Sequence, residues 1–593
     1  MSTADIKIHM YEKALEKTRT LGDRETLLLG LMAEGAKIWE LKAQSERWEQ
    51  ISKEHIDSLV LWKSYLNFRQ TSFGAFQYEE VRVIFVQRIK LLLQAAEANS
   101  SSAIHNQLVY ILLRLTIFIR ESGYAELALA IWQGLLEFNF FAPPKSLTFE
   151  EKIDHFNEFW ESEIPRIGED GALGWHHFVE NEGVLEAPDT MNDEEGNILN
   201  HEHLFQSWAA AEKIRTKASR LPARTLDEVV VDDPFRVILA SDIQDFLVSF
   251  PAESEELQTS LLNAFFLFCR LPPLTSSTGS SKDWLNDPFI GERLLECDSA
   301  WIRCQFSSGD DEFNEEKQVD TSSVFQVPAS NFQNSPESMF GLTWFKSIPA
   351  WRDIYGGDNG SVQYKFLRNT LKQLLQAHYR EHLAEYYLAF EWRNEPDTIK
   401  KISKSLLKQH PSSLRLYNAY AIIEWSRENR EVAKGVFSAA LEMGKSMPRS
   451  VHDFSILLWK SWIWAYLDAD DKGSALNGLL SIESGGQEDD FESPSPFRLL
   501  KATQHLSERR DYQLYSGDMG IAVIYAECLA LLRYLSTESQ HDSQSMAQGN
   551  ITAAMAVYNS FSRTLTETMR DREILDTSVH ELFLQSAARL LYQ

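Results

Sequence analysis

The sequence predicts an all-helical fold: an α-solenoid of stacked helical hairpins in two halves, with a long disordered acidic loop between them. Its 593 residues are 44% hydrophobic and 12% aromatic, which is enough apolar material for an extensive core. Only 18 prolines and 27 glycines interrupt this length, fewer than a protein rich in strands and tight turns requires. Because single cores stop growing at roughly 250–300 residues, we expect several domains or an extended repeat array.

A repeat is the most direct of these observations. The pairs Glu391-Trp392 and Glu424-Trp425 lie in the matching segments 386–393 and 419–426, at an offset of 33 residues. Helical hairpins of the TPR kind repeat about every 34 residues. We therefore predict hairpins of the TPR or half-a-TPR (HAT) kind, which bury their apolar faces by stacking on one another.

The individual helices follow from turn residues and apolar spacing. Pro396 favours a turn after the first Glu-Trp helix, and Asp397 or Thr398 can cap the second helix. Residues 410–413 end that helix and cap the next one. Further C-terminal helices are predicted at 416–424, 456–466, 474–480, 521–535, 551–569 and 580–592. N-terminal helices are predicted at 1–20, 62–68, 81–92, 110–119 and 125–138.

Two segments interrupt the helical pattern and set the predicted domain boundaries. The predicted domains are N-terminal HAT-like repeats at 1–141, a central helical segment at 142–274, a mostly disordered Ser, Asp and Glu-rich loop at 275–345, and C-terminal HAT-like repeats at 346–593. One helix is possible within the loop, at about 291–306, and a smaller acidic loop is expected at 482–494. Both ends of the chain look like partial hairpins, so we expect the sequence to start and end within a repeat.

Charge and cysteine content exclude several classes of function. The formal net charge is −28, from 86 acidic and 58 basic residues, and no basic run exceeds a dipeptide. A protein that grips nucleic acid through its backbone needs a basic stripe, so direct RNA binding is disfavoured and a basic protein partner is favoured. The four cysteines form no CxxC pair, which predicts free buried thiols. No signal-peptide pattern opens the chain, and the apolar stretches 108–119 and 261–269 are too short to predict a membrane span.

The motif search predicts no catalytic, cofactor-binding or metal-binding residues. The sequence contains no GxxxxGK[ST], GxGxxG, HExxH or GxSxG pattern. His176-His177 and His201-Glu202-His203 lack the i, i+4 spacing that places two imidazoles on one helix face. The aromatic residues could serve as stacking platforms for single-stranded RNA, but at helical spacing they more often form core. The predicted alternative to a scaffold is thus a helical repeat protein that binds single-stranded RNA directly.

One segment differs from an ordinary repeat helix. Residues 159–175 read FWESEIPRIGEDGALGW, with three glycines at intervals of three, which permit backbone conformations closed to other residues. Pro165 fixes the entry to this turn, and Arg166 could pair with Glu163, Glu169 or a partner's carboxylate. Two interpretations stay open: a structural plug between neighbouring helices, or a partner-binding site.

This segment carries a resemblance to a known family. Together with residues 131–141, 232–243 and 366–371, and with the helix at 62–68, it resembles the nuclear RNAi-defective (NRDE two) family, and Pro165-Arg166-Ile167-Gly168-Glu169 is the most specific part of the match. The resemblance covers most of the chain. The candidate structural or partner-binding residues are Trp160, Pro165, Arg166, Gly168, Gly171, Trp175, Asp233, Pro234 and Arg236.

The resemblance implies a nucleus-localised, non-enzymatic scaffold of HAT repeats that acts in RNA surveillance. It further implies small-RNA-mediated heterochromatin silencing, contact with the exosome-associated DExH RNA helicase, and contact with spliceosome-linked proteins. Family members carry a polar region ahead of the repeats that contributes to helicase contact, and we expect this sequence to lack it.

Overall fold

The structure is a computed structural model of the 593-residue chain. It describes residues 3–98, 101–144, 148–181, 183, 205–208, 221–224, 236–269, 271–274, 284, 287–290, 339–340, 364–448, 452–483, 495–536, 549–574 and 576–593. The predictions for Asp233, Pro234, the helix at 291–306, nearly all of the 275–345 loop and most of the 482–494 loop concern residues outside these ranges.

The described residues are helical, as predicted. Within those ranges no β-strand occurs, and backbone pairing of the strand kind is limited to an isolated bridge between Ala223 and Val237. The chain divides into two compact units, Met1–Gly123 and Tyr124–Gln593. The predicted domain boundaries stay a prediction.

The first unit is built from consecutive helices that pack on their neighbours. Helix α1 packs against α2, and α3 to α6 continue as a series of adjacent pairs. Trp48 and Tyr65 lie in a shared core with Ile8 and Leu31, their rings 6.4 Å apart. The helices are α1 (Thr3–Lys17), α2 (Leu21–Gly35), α3 (Leu41–Glu54), α4 (Leu59–Thr71), α5 (Tyr78–Ala98) and α6 (Ser102–Glu121).

The second unit begins with the helices around residues 159–175. Trp132 of the apolar helix α7 is fully buried and contacts the ring of Phe265 in α11 at 5.7 Å. The short helix α10 packs on both α7 and α8. The helices are α7 (Ala125–Phe140), α8 (Phe149–Glu161), α9 (Trp175–Glu180), α10 (Ala240–Ile243) and α11 (Glu255–Phe268). The predicted helices at 110–119 and 125–138 thus fall in different compact units.

The C-terminal part of the second unit confirms the predicted repeat. Helices α13 and α15 start at Glu381 and Leu414, at the 33-residue offset of the Glu-Trp pairs. Helix α13 packs on α15, α15 packs on α17, and α17 packs on α20. The helices are α12 (Tyr364–Ala377), α13 (Glu381–Asn394), α14 (Ile399–Gln409), α15 (Leu414–Ser426), α16 (Arg430–Lys445), α17 (Ser455–Asp468), α18 (Lys472–Ser481), α19 (Pro496–Ser516), α20 (Met519–Ser536), α21 (Ile551–Asp571) and α22 (Ser578–Tyr592).

Local capping explains where several of these helices start. The Ser413 hydroxyl accepts a hydrogen bond from the backbone N–H of Leu416 at 3.4 Å, as the capping prediction for 410–413 requires. Thr398 is the N-cap of α14, without a side-chain cap bond. Helix α19 is absent from the sequence prediction, although Ser495 caps it and Pro496 is its first residue. Its apolar residues are interspersed with charges, which obscured the periodicity.

In the described part of the chain, two helices are long and apolar enough, by length and composition, to span a membrane. They are Ser102–Glu121 and Met519–Ser536. The first of them extends beyond the apolar stretch 108–119 at both ends, so the expectation that this stretch is too short to span a membrane was wrong as regards length. Within the most apolar windows of these helices, 72% and 67% of the residues are buried inside the folded protein. Arg114 in α6 is buried and donates to the side chains of Asn67 and Gln70 in α4. In this structure both helices are therefore core helices.

Candidate functional site: the glycine block and its buried glutamates

The chain leaves helical geometry between α8 and α9, in residues 162–174, which we name the glycine block. A capping box formed by Thr148 and Glu151 starts α8, and the helix ends at Glu161. The three glycines of the block, Gly168, Gly171 and Gly174, have φ values of +88°, +77° and +89°. Because side chains disfavour this left-handed region, the glycine spacing seen in the sequence is a requirement of the backbone path.

Glu137 of helix α7 holds the backbone in the middle of the block and directly after it. Its two carboxyl oxygens accept hydrogen bonds from the backbone N–H of Ile167 at 2.8 Å and of Trp175 at 2.9 Å. The residue is fully buried within a mostly apolar helix. Buried backbone donors without a partner are costly, so Glu137 compensates two groups that the irregular backbone cannot pair with itself.

Burial also changes the acidity of Glu137. Loss of solvent raises the pKa of Glu137 to about 7, and the two backbone hydrogen bonds oppose this rise. The pKa of Glu169, in the block itself, is raised by burial too, against the charges of Arg166 and Arg224. The site therefore holds two carboxyl groups whose environment favours the protonated form more than water does.

The Arg166 side chain is buried within the block and packs against the Trp160 ring. It is 1% exposed, its guanidinium carbon lies 3.7 Å from the centre of the Trp160 ring, and it donates to the Trp160 carbonyl at 2.8 Å. Trp160 in turn donates from its indole nitrogen to the carbonyl of Ile238 at 3.0 Å. Both side chains are therefore held by intramolecular contacts.

Glu169 and its neighbours close the block on the α7 side. Gln133 donates from its side-chain nitrogen to the Ile167 carbonyl at 3.0 Å and to a carboxyl oxygen of Glu169 at 3.2 Å. Arg224 forms an ion pair with Glu169 at 3.6 Å and also donates to the carbonyl of Glu163. The backbone N–H of Arg166 donates to a carboxyl oxygen of Glu169 at 3.3 Å, and the predicted pairing of the Arg166 side chain with a carboxylate stays a prediction.

Helix α12 contacts the opposite side of the block. The Gly168 N–H donates to the side-chain oxygen of Gln373 at 2.7 Å, and the Gln373 side-chain nitrogen donates to the Glu169 carbonyl at 3.0 Å. Asn369 donates to Gly168 and Asp170, and Lys365 forms an ion pair with Asp170. The block thus joins α7 and α8 to the helix that precedes the C-terminal repeats.

Two of the glycines also allow close packing. A Cβ atom on Gly168 would lie 2.2 Å from the ring of Phe366, and one on Gly174 would lie 2.3 Å from the ring of Phe141. Gly171 has open space around the same position. Gly168 and Gly174 are therefore required twice, for backbone conformation and for the approach of an aromatic ring.

The structure places the predicted site residues as follows. Trp160, Arg166, Gly168 and Trp175 are buried, Pro165 is half-buried and Gly171 is exposed. Arg236 is buried, and its carbonyl accepts from the Ala223 N–H at 2.9 Å. Asp233 and Pro234 lie outside the described residues. The burial of Trp160 and Trp175 removes them as platforms for RNA bases.

Sequence reasoning missed the polar residues that hold the block: Gln133, Glu137, Asn369 and Gln373. One signal existed for Glu137, a carboxylate within the apolar run of α7. A charge in such a run is rarely buried unless it is paired or hydrogen-bonded, which predicts a specific partner. Gln373 and Asn369 offered no comparable signal, because polar residues on an amphipathic helix ordinarily face solvent.

The polar groups of the glycine block form hydrogen bonds and ion pairs with other groups of the same chain. The carboxylates of the site are engaged with backbone N–H groups, glutamine and arginine, and the described part of the chain contains no group of three or more His, Cys, Asp or Glu side chains arranged to hold a metal. The described cysteines, Cys269 and Cys528, are both buried, and burial raises the pKa of the Cys528 thiol. These contacts fix the backbone path of the glycine block.

Comparison with known protein families gives a match that includes the glycine block. The sequence model of a family described as "NRDE-2, necessary for RNA interference" matches residues 1–274, which include the glycine block. The resemblance to the NRDE-2 family is confirmed. The match to that family description ends before helix α12, whose side chains complete the hydrogen bonds of the block.

Relatives from several organisms match more of the chain. The fission-yeast (Schizosaccharomyces pombe) protein named "Protein NRDE2 homolog" is 25% identical over 80% of this chain and 49% of its own length. The mouse and human proteins named "Nuclear exosome regulator NRDE2" are 24% and 25% identical, over 86% and 78% of this chain and 44% and 40% of their own lengths. The chain therefore spans half or less of the length of these curated relatives.

Proposed function

We propose that this chain is a non-catalytic scaffold in nuclear RNA surveillance, in which stacked helical hairpins hold other macromolecules. The observation that carries the proposal is the match of most of this chain to mouse and human proteins named nuclear exosome regulators. The burial and internal bonding of the family-specific segment support it, because a site built to fix backbone geometry suits a scaffold. The nucleus is the proposed location.

The finer parts of the proposal concern partners. The exosome-associated DExH RNA helicase and spliceosome-linked proteins are the proposed partners, and small-RNA-mediated heterochromatin silencing is the proposed process. An acidic chain of net charge −28 favours protein partners with basic surfaces over the nucleic-acid backbone. Direct contact with single-stranded RNA is the alternative.

Crosslinking mass spectrometry on the tagged chain in nuclei tests the proposal, since it names both the partner and the contacted surface. We expect crosslinks to nuclear exosome or splicing components that persist after nuclease treatment. The same tag on an unrelated helical repeat protein is the control. Recovery of no nuclear RNA-processing protein would overturn the proposal.

Titration with single-stranded RNA separates the alternative. A fluorescent 20-nucleotide oligouridylate at low salt should give a flat anisotropy curve with the purified chain. Binding that weakens steeply with added salt would instead identify a direct RNA binder, because each neutralised phosphate releases counterions.

A further inference from the structure

A small cavity in the first unit contains a buried arginine that forms no ion pair with any residue the structure describes. The cavity has a volume of about 130 Å³ and lies between α3, α4 and α5. Trp62, Tyr65, Ile84 and Leu91 supply apolar walls, and His55 and Arg88 supply polar groups. Arg88 is 4% exposed.

The guanidinium of Arg88 is held in place on one side. One terminal nitrogen donates to the carbonyl of Ile56, and the guanidinium carbon lies 5.7 Å from the centre of the Trp62 ring. The Nε atom of Arg88 and the Nε2 atom of His55 are buried without a hydrogen-bond partner. Among the described residues of the first unit, no carboxylate is in ion-pair contact with Arg88, and the charge of Asp57 acts on it from a greater distance.

An unpaired buried guanidinium is energetically unfavourable, because burial removes water and nothing of opposite charge replaces it. The planar guanidinium matches a carboxylate with two parallel hydrogen bonds. We infer that this cavity receives the carboxylate side chain of an aspartate or glutamate from a partner protein, with the apolar walls packing around its aliphatic part.

The size of the cavity favours a side chain over a nucleotide. An engineered protein cavity of about 150 Å³ holds one benzene molecule, so about 130 Å³ accommodates one side chain but not a base with its ribose phosphate. The charge of the first unit points the same way. Residues 1–123 contain 16 Lys and Arg against 15 Asp and Glu, and the acidic excess of the chain lies entirely in residues 124–593. A nearly neutral surface does not supply the basic stripe that RNA binding needs.

The groups around the cavity mouth do not reverse this preference. Glu49 and Lys53 both line the cavity and carry opposite charges. Glu49 also lies 4.0 Å from Arg69, which pairs with Glu80. The negative charge of Glu49 is therefore shared with a neighbouring arginine, and Lys53 adds a positive charge to the same cavity lining.

Selection from a phage library of random 12-residue peptides on the immobilised full chain tests this inference. We expect enriched peptides to carry Asp or Glu at one position next to apolar residues. A synthetic copy of the most enriched peptide should bind at least 10-fold more weakly when that acidic residue is replaced by Gln or Asn. Absence of acidic enrichment, or no loss on this replacement, would overturn the inference.

Three variants tie binding to the cavity. Arg88→Lys keeps the charge but loses the planar fork, and Gln87→Glu adds a carboxylate at the cavity lining; each should weaken the selected peptide at least 10-fold. Val83→Glu adds the same charge on an exposed position of the same helix that does not line the cavity, and it should leave binding unchanged. Equal effects of Gln87→Glu and Val83→Glu would contradict the inference. Displacement of the peptide by a 12-nucleotide oligouridylate would also contradict it if the displacement depends on Arg88, because the cavity would then be a phosphate site. Circular dichroism checks that each variant is folded. If Arg88→Lys does not fold, Gln87→Glu still decides the test.

Discussion

The side-chain oxygen of Gln373 accepts a hydrogen bond from the backbone N–H of Gly168 at 2.7 Å, although 205 positions separate the two residues. The same glutamine donates back to the Glu169 carbonyl. One side chain of α12 therefore satisfies two backbone groups of the glycine block. Helix α12, which precedes the C-terminal repeats, and the glycine block are consequently parts of one compact unit.

Gln373→Ala should reduce the free energy of unfolding by about 1–3 kcal/mol, because it leaves the Gly168 N–H and the Glu169 carbonyl without this partner. Lys372→Ala changes an exposed neighbour on the same helix and should alter stability by less than about 0.5 kcal/mol. Urea denaturation followed by tryptophan fluorescence measures both values. Equal stability of the two variants would contradict the role assigned to Gln373.

Gly168→Ala should destabilise the protein by more than about 3 kcal/mol, since the new Cβ meets the Phe366 ring and the backbone φ is +88°. Gly171→Ala is the matched control, with a φ of +77° and no atom within 4 Å of the new Cβ. It should cost about 1–2 kcal/mol from the backbone conformation alone. Thermal melting of the two variants compares them, and a larger loss for Gly171→Ala would contradict the packing argument.

The raised pKa of Glu137 predicts a pH dependence of stability. The folded protein retains the proton of Glu137 up to about pH 7, whereas an unfolded glutamate loses it near pH 4.5. Stability from this group is therefore fully present below about pH 4.5 and is lost as the pH rises to about 7, by about 3 kcal/mol in all. The raised pKa of Glu169 acts in the same direction.

Glu137→Gln isolates this contribution. Between pH 4.5 and pH 8 the free energy of unfolding of the wild type should fall more steeply than that of the variant, which carries no titrating group at this position. At low pH the variant should be less stable by about 1–2 kcal/mol, because one of its two side-chain groups can no longer accept a backbone hydrogen bond. Parallel pH profiles from chemical denaturation would show that Glu137 does not titrate in this range.

The Glu-Trp repeat makes a separate prediction in the C-terminal hairpins. Glu391 is fully buried in α13 and accepts from Arg368 in α12 at 2.6 Å. Arg368→Ala should cost about 2–4 kcal/mol, because it leaves a buried carboxylate without its cation. The double variant Arg368→Ala with Glu391→Gln should recover part of this loss, and Arg393→Ala, at an exposed position of α13, should be nearly neutral. Denaturant midpoints measure the cycle, and additive losses would contradict direct pairing.

The sequence by itself determined the helical class, the 33-residue spacing of α13 and α15, and the resemblance carried by residues 159–175. These features are local, because helix periodicity, capping at Ser413 and left-handed glycine positions are all encoded within a few residues. Helix α19 was missed because its charged residues hide the apolar spacing.

Only the tertiary structure decided what holds the glycine block. Glu137 reaches it across 30 and 38 positions and Gln373 across 205, and no local pattern specifies which polar residue meets which backbone group. The same limit applies to Arg88, whose spacing places it on α5 but does not reveal that it is buried beside Trp62 without a carboxylate. Pairings of this kind depend on how distant helices pack, and packing is a property of the folded chain as a whole.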